Sequence, residues 1–215
     1  MGCDIHTHVE YRENAYVGRD ENGNAIYRLK WICGDFFKLA RYYGGSGKRR
    51  FDVVEICGER NYDRFATLAN VRNYGGTPYI SEPRGLPEDV TNLVNEDYES
   101  YCGDAHSPSY VTLKELIEYQ STIKPLKRSG LISPEAQKEL DENGKPPSEW
   151  CQGTTYNDWE RREWEVENTV LIPLIEELKE RADKLGVIYK WDWEKRPMES
   201  LEKADNIRFV FWFDD

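Results

Sequence analysis

The sequence predicts an α+β fold, in which a mostly antiparallel sheet carries helices packed on one of its faces. The first observation is the stretch Asp4-Ile5-His6-Thr7-His8, where polar and apolar side chains alternate as they do along a half-buried strand. The second is the segment 207–213, whose β-branched and aromatic side chains favour a strand. A hydrophobic strand needs a partner, and the N-terminal hairpin is the natural one.

The first half of the chain contains further strand and helix signals. A turn signature at residues 19–24 and an alternating segment at 25–31 predict that the first strand returns as a β-hairpin. The segment 51–56 predicts a middle strand of the same sheet. A short amphipathic helix follows, with Asn61 as its N-cap. Residues 73–110 show no sustained periodicity, which predicts a long ordered loop.

Three helical patterns follow in the second half. A capping box at residues 112–115 starts a helix that continues to about Ser121. Pro134 is placed at the first helical position of the next one. The longest pattern covers residues 156–185 and is strongly charged on one side. We expect Pro173 to kink or divide this helix.

Composition limits the function classes. The formal net charge of −11 argues against a protein that wraps long nucleic acid, so any nucleotide it binds is expected to be small. No apolar run approaches the roughly 20 residues that cross a bilayer, and no signal peptide is recognisable, which predicts a soluble intracellular protein without a membrane partner. The five cysteines contain no C-x-x-C pair, which predicts free thiols.

One face of the first strand carries potential metal ligands. Alternation places Asp4, His6, His8 and Glu10 on that face. Side chains two residues apart lie roughly 6–7 Å apart at their bases, a separation that two imidazoles can close onto one cation. With His106 added, the hypothesis is a zinc, manganese or iron site formed by Asp4, His6, His8 and His106. The alternative interpretation is that the two histidines are polar residues on a partly solvated strand.

Several blocks of the sequence together resemble a known family. They are MGCDIH at the start, RNYD at 60–63, SEPRGLPEDV at 81–90 and HSPSYVTL at 106–113, with a weaker match at 209–215. In these blocks the chain is similar to a family of proteins encoded by bacteriophages and prophages. The resemblance implies an origin, and with it the cytoplasm of a bacterial host cell, but no mechanism.

The resemblance also bears on domain organisation. We expect a single α+β domain over residues 1–215. Residues 124–195 lie outside the blocks that carry the resemblance, and we expect them to form a helical insertion within that domain.

A phage origin raises function classes that composition alone does not. The first hypothesis is counter-defence by capture of a small phosphorylated nucleotide that signals in host immunity. The second is a metal-dependent phosphohydrolase that acts on such a nucleotide through Asp4, His6, His8 and His106, with a divalent transition metal as cofactor. The third is an acidic inhibitor that binds a host protein through the long charged helix. Capture ranks above hydrolysis, because no acidic cluster accompanies the histidines in the sequence.

A nucleotide requires cations for its phosphate and flat side chains for its base. Arg84 is the best single phosphate candidate, because glycine and prolines fix the loop around its charge. Whether the chain also forms a homo-oligomer stays open. The candidate ligand-binding residues are Asp4, His6, His8, Arg60, Asn61, Tyr62, Arg72, Arg84, Gly85, His106 and Ser107.

Overall fold

A computed structural model of the protein describes residues 2–39, 51–153, 158–185 and 204–215. Within these ranges the chain forms nine strands and five helices. The strands are β1 Asp4–Arg19, β2 Ala25–Cys33, β3 Phe37–Leu39, β4 Phe51–Val53, β5 His106–Thr112, β6 Leu126–Ile132, β7 Trp150–Cys151, β8 Glu160–Val166 and β9 Ile207–Asp214. The helices are α1 Tyr62–Ala69, α2 Asn92–Ser100, α3 Leu113–Thr122, α4 Pro134–Asn143 and α5 Ile172–Lys184.

The main sheet confirms the predicted fold class. It has the strand order β2-β1-β9-β5, and every neighbouring pair in it is antiparallel. Strands β1 and β2 form the predicted hairpin, and β9 pairs with β1 as expected from its composition. The predicted Asn61 N-cap and the Thr112–Glu115 capping box are both present. The fold is therefore α+β with a mostly antiparallel sheet.

The two faces of this sheet carry different cores. On one face Phe209, Phe211 and Phe213 pack with buried side chains of α1, α3 and α5. On the other face Val210 and Trp212 pack against Val94 of α2. Three helices thus cover one face, as predicted, and α2 covers part of the opposite face.

The predicted middle strand is not part of the main sheet. Residues 51–53 form β4, which pairs with β3 in a separate two-stranded sheet. The edge of β1 that a middle strand would need is already occupied, because Gly34 N–H donates to the Val9 carbonyl and Asp35 accepts from the Val9 N–H. Composition predicted a strand here but not its partner.

The segment 73–110 contains two elements that the sequence did not predict. Helix α2 has a single buried residue, Val94, so it shows no sustained apolar period. Strand β5 contains Pro108, which an edge strand tolerates because its free side needs no backbone N–H. Neither element therefore has a sequence periodicity from which it could be predicted.

The predicted helix over 156–185 is divided in the structure. Residues 154–157 lie outside the described residues, Glu160–Val166 forms β8, and only Ile172–Lys184 is helical. Trp164 and Val166 of β8 face inward with the two-residue period of a strand. Pro173 stands in the first turn of α5, where its missing N–H is harmless.

The range 124–195 is not wholly helical. Its described part includes a three-stranded sheet, β7-β6-β8, with α4 packed on it through Ala136. The buried side of α5 belongs to the main core, through Leu174, Leu178 and neighbouring residues. A surface for a protein partner along one long helix is therefore not formed by the described residues. No described helix is long and apolar enough to cross a membrane.

We expect Phe211→Ala to lower the free energy of unfolding by about 3–5 kcal/mol, since a large ring leaves a cavity in the core. Phe211 is fully buried between the rings of Phe209 and Phe213. The matched control is Tyr74→Ala, at a site 81% exposed, which should change stability by less than about 0.5 kcal/mol. Urea unfolding measures both, and equal losses in the two variants would contradict the described core.

Candidate functional site

The antiparallel register gathers polar residues at one end of the main sheet. Asp4 at the start of β1 lies opposite Asp214 at the end of β9, and His106 at the start of β5 lies opposite Phe213. Loops and α1 add side chains from elsewhere in the chain. We call this group the sheet-end cluster; it consists of Cys3, Asp4, His6, Glu55, Arg60, Tyr62, Arg72, Tyr101, His106, Ser107, Asp214 and Asp215.

The two arginines of the cluster are held by carboxylates. Arg60 donates from Nε and from a terminal nitrogen to the two oxygens of Asp4, at 2.8 and 2.7 Å. This guanidinium packs so closely on Gly2 that a β-carbon at that position would overlap it. Arg72 donates to Asp215 and, at 3.0 Å, to the Tyr74 hydroxyl. The two cations are thus fixed in place but remain paired with exposed acids.

His6 has acidic groups on both ring nitrogens. Its Nε2 lies 3.3 Å from Asp214, and its Nδ1 lies 3.6 Å from Glu55 and 2.7 Å from the Tyr101 hydroxyl. Burial by itself lowers the pKa of His6, but the hydrogen bonds and charges of Glu55 and Asp214 outweigh it, so the pKa is raised above its ordinary value. The two carboxylates therefore favour the protonated form of this imidazole.

Three donor atoms of different chemistry meet around His106, whose ring stacks on Phe213. Cys3 Sγ lies 4.0 Å from His106 Nε2, and the same nitrogen lies 3.8 Å from Asp215 Oδ1. All three atoms lie within 4.8 Å of one another. The other ring nitrogen, His106 Nδ1, lies 3.0 Å from the Ser107 hydroxyl.

This arrangement differs from a cysteine-nucleophile triad. In such a triad the carboxylate binds the imidazole nitrogen that faces away from the nucleophile. Here Cys3 and Asp215 face the same nitrogen of His106. Burial also raises the pKa of the Cys3 thiol, which opposes formation of the free thiolate. The geometry is that of donors converging on one point.

His8 does not belong to the sheet-end cluster. It is 2% exposed, with Nδ1 at 2.7 Å from Asp35 and Nε2 at 3.1 Å from Asp97 of α2. Burial opposes its charge, but the two carboxylates prevail and raise its pKa to about 9. His8 is therefore a buried ion-pair partner that connects β1 to α2.

The predicted four-ligand metal site is thus not assembled in the described residues. His8 is enclosed by Asp35 and Asp97, and Asp4 is bound by Arg60. Of the four predicted ligands, only His106 belongs to a group of donors close enough to share a cation. The two-residue spacing placed His6 and His8 on one face, but α2 buries His8 fully, whereas His6 lies beside the C-cap Tyr101 and is 21% exposed.

Arg84 and Gly85 lie away from the cluster. Arg84 donates to Glu115 at 2.7 Å and to the Tyr110 carbonyl at 3.3 Å, and Gly85 N–H donates to the Pro108 carbonyl. Arg84 borders a groove of about 430 Å³ whose lining also includes Glu88 and Asp89. The acidic lining and the Glu115 partner neutralise the charge for which Arg84 was singled out.

Asn61 has a structural role as a helix cap, whereas its neighbour Tyr62 belongs to the sheet-end cluster. The Asn61 side chain accepts from the Arg64 N–H as the N-cap of α1. The Tyr62 hydroxyl accepts from the Cys3 N–H at 3.4 Å, and its ring is 39% exposed.

The sequence did not identify several cluster residues. Cys3 was assigned to the apolar face, while Glu55 and Tyr101 lie in segments without a motif. Asp214 and Asp215 end the 209–215 block that weakly supports the family resemblance, and this was the available signal. Comparison with models of protein families, with curated proteins and with solved structures found no match for this chain.

We expect the His8 ion pair to make stability depend on pH. The pKa of His8 is about 9 in the folded protein and near 6.5 when unfolded. Between these two pH values the folded protein holds a proton on His8 that the unfolded chain has released. The stabilisation that the ion pair provides is therefore complete below pH 6.5 and is lost as the pH rises through 9. Urea unfolding from pH 6 to 10 should show wild type losing on the order of 3 kcal/mol more than His8→Gln.

His106→Gln is the control for this measurement, because its ring is more exposed and outside the pair. It should retain the pH dependence of the wild-type protein. Parallel profiles for wild type and His8→Gln would contradict the assignment of a buried charged imidazole.

Proposed function

We propose that the sheet-end cluster binds a small phosphorylated nucleotide and that the protein acts by capturing it. The observation that carries this proposal is that most of the candidate ligand residues lie close together in the structure. Most candidate ligand residues, chosen from separate blocks of the sequence, meet at one end of the sheet, namely Asp4, His6, Arg60, Tyr62, Arg72, His106 and Ser107. A site of this kind brings cations, hydrogen-bonding groups and rings to one ligand.

The arginine pairs are compatible with phosphate binding. The Arg60–Asp4 pair is the more exposed of the two, with side chains 48% and 54% exposed, whereas the Arg72 side chain is 26% exposed and its partner Asp215 is 50% exposed. An exposed ion pair contributes only about 0–1 kcal/mol, so a guanidinium can exchange its carboxylate for a phosphate at low cost. The bidentate donors of Arg60 match two phosphate oxygens as well as they match Asp4.

Aromatic and hydroxyl groups at the same end suit the rest of a nucleotide. Tyr62 and His106 present partly exposed rings on which a base can stack. The Ser107 hydroxyl can hydrogen-bond the ribose or the base edge, and the His6 imidazole can do so where a ligand oxygen replaces Glu55 at Nδ1. The resemblance to phage-encoded proteins supports a host signalling nucleotide as the ligand and counter-defence as the role.

Hydrolysis of the same ligand is the second candidate. The sequence ranked it lower because no acids accompanied the histidines, whereas Glu55, Asp214 and Asp215 lie beside His6 and His106 in the structure. In this reaction a water oxygen bonds to phosphorus and the phosphorus–oxygen ester bond breaks. Protonated His6 donates a proton to the leaving oxygen, and Asp214 accepts the proton that the water releases.

We expect Arg60→Gln and Arg72→Gln each to weaken nucleotide binding at least about tenfold, because each removes a charge-assisted hydrogen bond to phosphate. The probes are AMP, ATP and a cyclic dinucleotide, measured by isothermal titration calorimetry at low and high salt. The matched control is Arg162→Gln, which breaks the comparable exposed pair with Asp141 elsewhere on the chain. Equal affinities in all three variants, or no binding of any probe, would contradict the proposal.

The same samples distinguish capture from hydrolysis. The protein is incubated with each probe and denatured, and the released nucleotide is identified by chromatography and mass spectrometry. Intact nucleotide supports capture. A cleaved product that is lost in His6→Gln supports hydrolysis.

A further inference from the structure

The sheet-end cluster has more acidic than basic side chains. Arg60 and Arg72 are both paired, with Asp4 and Asp215, while Glu55 and Asp214 remain beside His6. Even with His6 protonated, the four carboxylates outnumber the three cationic groups. Such a site favours a further cation, which would also attract a phosphate to this end of the sheet.

The three converging donors are close to the spacing of metal ligands. Two tetrahedral zinc ligands, one thiolate and one imidazole, lie about 3.6 Å apart, and an imidazole nitrogen and a carboxylate oxygen lie about 3.4 Å apart. The corresponding distances here are 4.0 Å from Cys3 Sγ to His106 Nε2 and 3.8 Å from that nitrogen to Asp215 Oδ1. Each of these two distances exceeds the metal-bound spacing by about 0.4 Å, and the third pair, Cys3 and Asp215, lies within 4.8 Å.

Neighbouring groups hold the donor side chains in place, as they do around the ligands of protein-bound metals. A metal-bound imidazole usually hydrogen-bonds through its other nitrogen, and His106 Nδ1 lies 3.0 Å from the Ser107 hydroxyl. The His106 ring also stacks on Phe213, with centroids 6.0 Å apart. The Tyr62 hydroxyl accepts from the backbone N–H of Cys3 and so helps to fix that residue.

The donor types discriminate between metals. A thiolate and an imidazole with one carboxylate suit zinc and neighbouring transition ions, whereas magnesium and calcium require sites made of oxygen ligands. Three protein ligands leave a fourth position for water or a substrate oxygen, which is the usual arrangement of catalytic zinc. Among the described residues, no second group of three such side chains has its donors as close together.

We propose that Cys3, His106 and Asp215 form a binding site for a single transition-metal ion of the zinc type. The metal takes the place of the thiol proton of Cys3, which is released to solvent on binding. Arg72 hydrogen-bonds Asp215 and also contacts the Cys3 side chain, so its guanidinium competes with the metal for both ligands. The metal site is independent of the proposed nucleotide; only its use in phosphate-ester hydrolysis rests on the proposed function.

The test titrates Co²⁺ and then Zn²⁺ alone into the full chain, with its thiols kept reduced and no nucleotide present. We expect one equivalent of Co²⁺ to bind, with the near-ultraviolet charge-transfer band of a cobalt–thiolate bond, and Zn²⁺ to displace it. Cys3→Ser should abolish the band. His106→Gln and Asp215→Asn change side chains that are 37% and 50% exposed, and each should weaken binding at least about tenfold.

Two control variants make the outcome specific. Cys102→Ser replaces an exposed thiol outside the site and should leave the band unchanged. Arg72→Met should retain or strengthen Co²⁺ binding while weakening the nucleotide, which separates failure of this proposal from failure of the proposed function. Absence of stoichiometric binding, absence of the thiolate band, or loss of the band in Cys102→Ser but not in Cys3→Ser would overturn the metal site.

Discussion

Strand β9 is the constraint on which the rest of the structure depends. Seven of its eight residues are buried, and it is hydrogen-bonded along one edge to β1 and along the other to β5. Phe209, Phe211 and Phe213 form the centre of one core, while Val210 and Trp212 begin the other. Because both neighbours are antiparallel to β9, their first residues necessarily meet its last ones. The sheet-end cluster is a direct consequence of this pairing.

The sheet face that carries His6 and His8 differs between its two ends. Towards the hairpin, Glu10 forms a buried pair with Arg208, and His8 is enclosed by Asp35 and Asp97. Removing one partner of such a pair leaves an unpaired buried charge and destabilises the fold. These residues therefore have a structural role and are not available to a ligand. Towards the other end, α2 no longer covers the sheet fully and His6 is more accessible. The accessible polar side chains of this face are thus at the end where α2 no longer covers it.

Local sequence patterns predicted much of the fold but not its partnerships. Alternation in residues 4–10 and the composition of 207–213 identify the two strands, so the β1–β9 pair was predictable, whereas the burial of His8 and Glu10 was not. Periodicity cannot show that α2 exists, because only Val94 of that helix needs burial. It also cannot show that His8 meets Asp97 or that Cys3 meets His106, since these contacts join residues about 90 to 100 positions apart. The site was therefore predictable in its region and not in its ligand set.

The central claim is that the ligand binds at the end of the main sheet. Backbone amide shifts of the ¹⁵N-labelled protein, recorded with and without AMP, ATP or a cyclic dinucleotide, test it most directly. The account predicts that the perturbed amides cluster at residues 3–6, 106–107 and 214–215, with those around Arg84 and Asp89 unchanged. Perturbations centred on the groove at residues 84–89, or none with any of the three nucleotides, would contradict it.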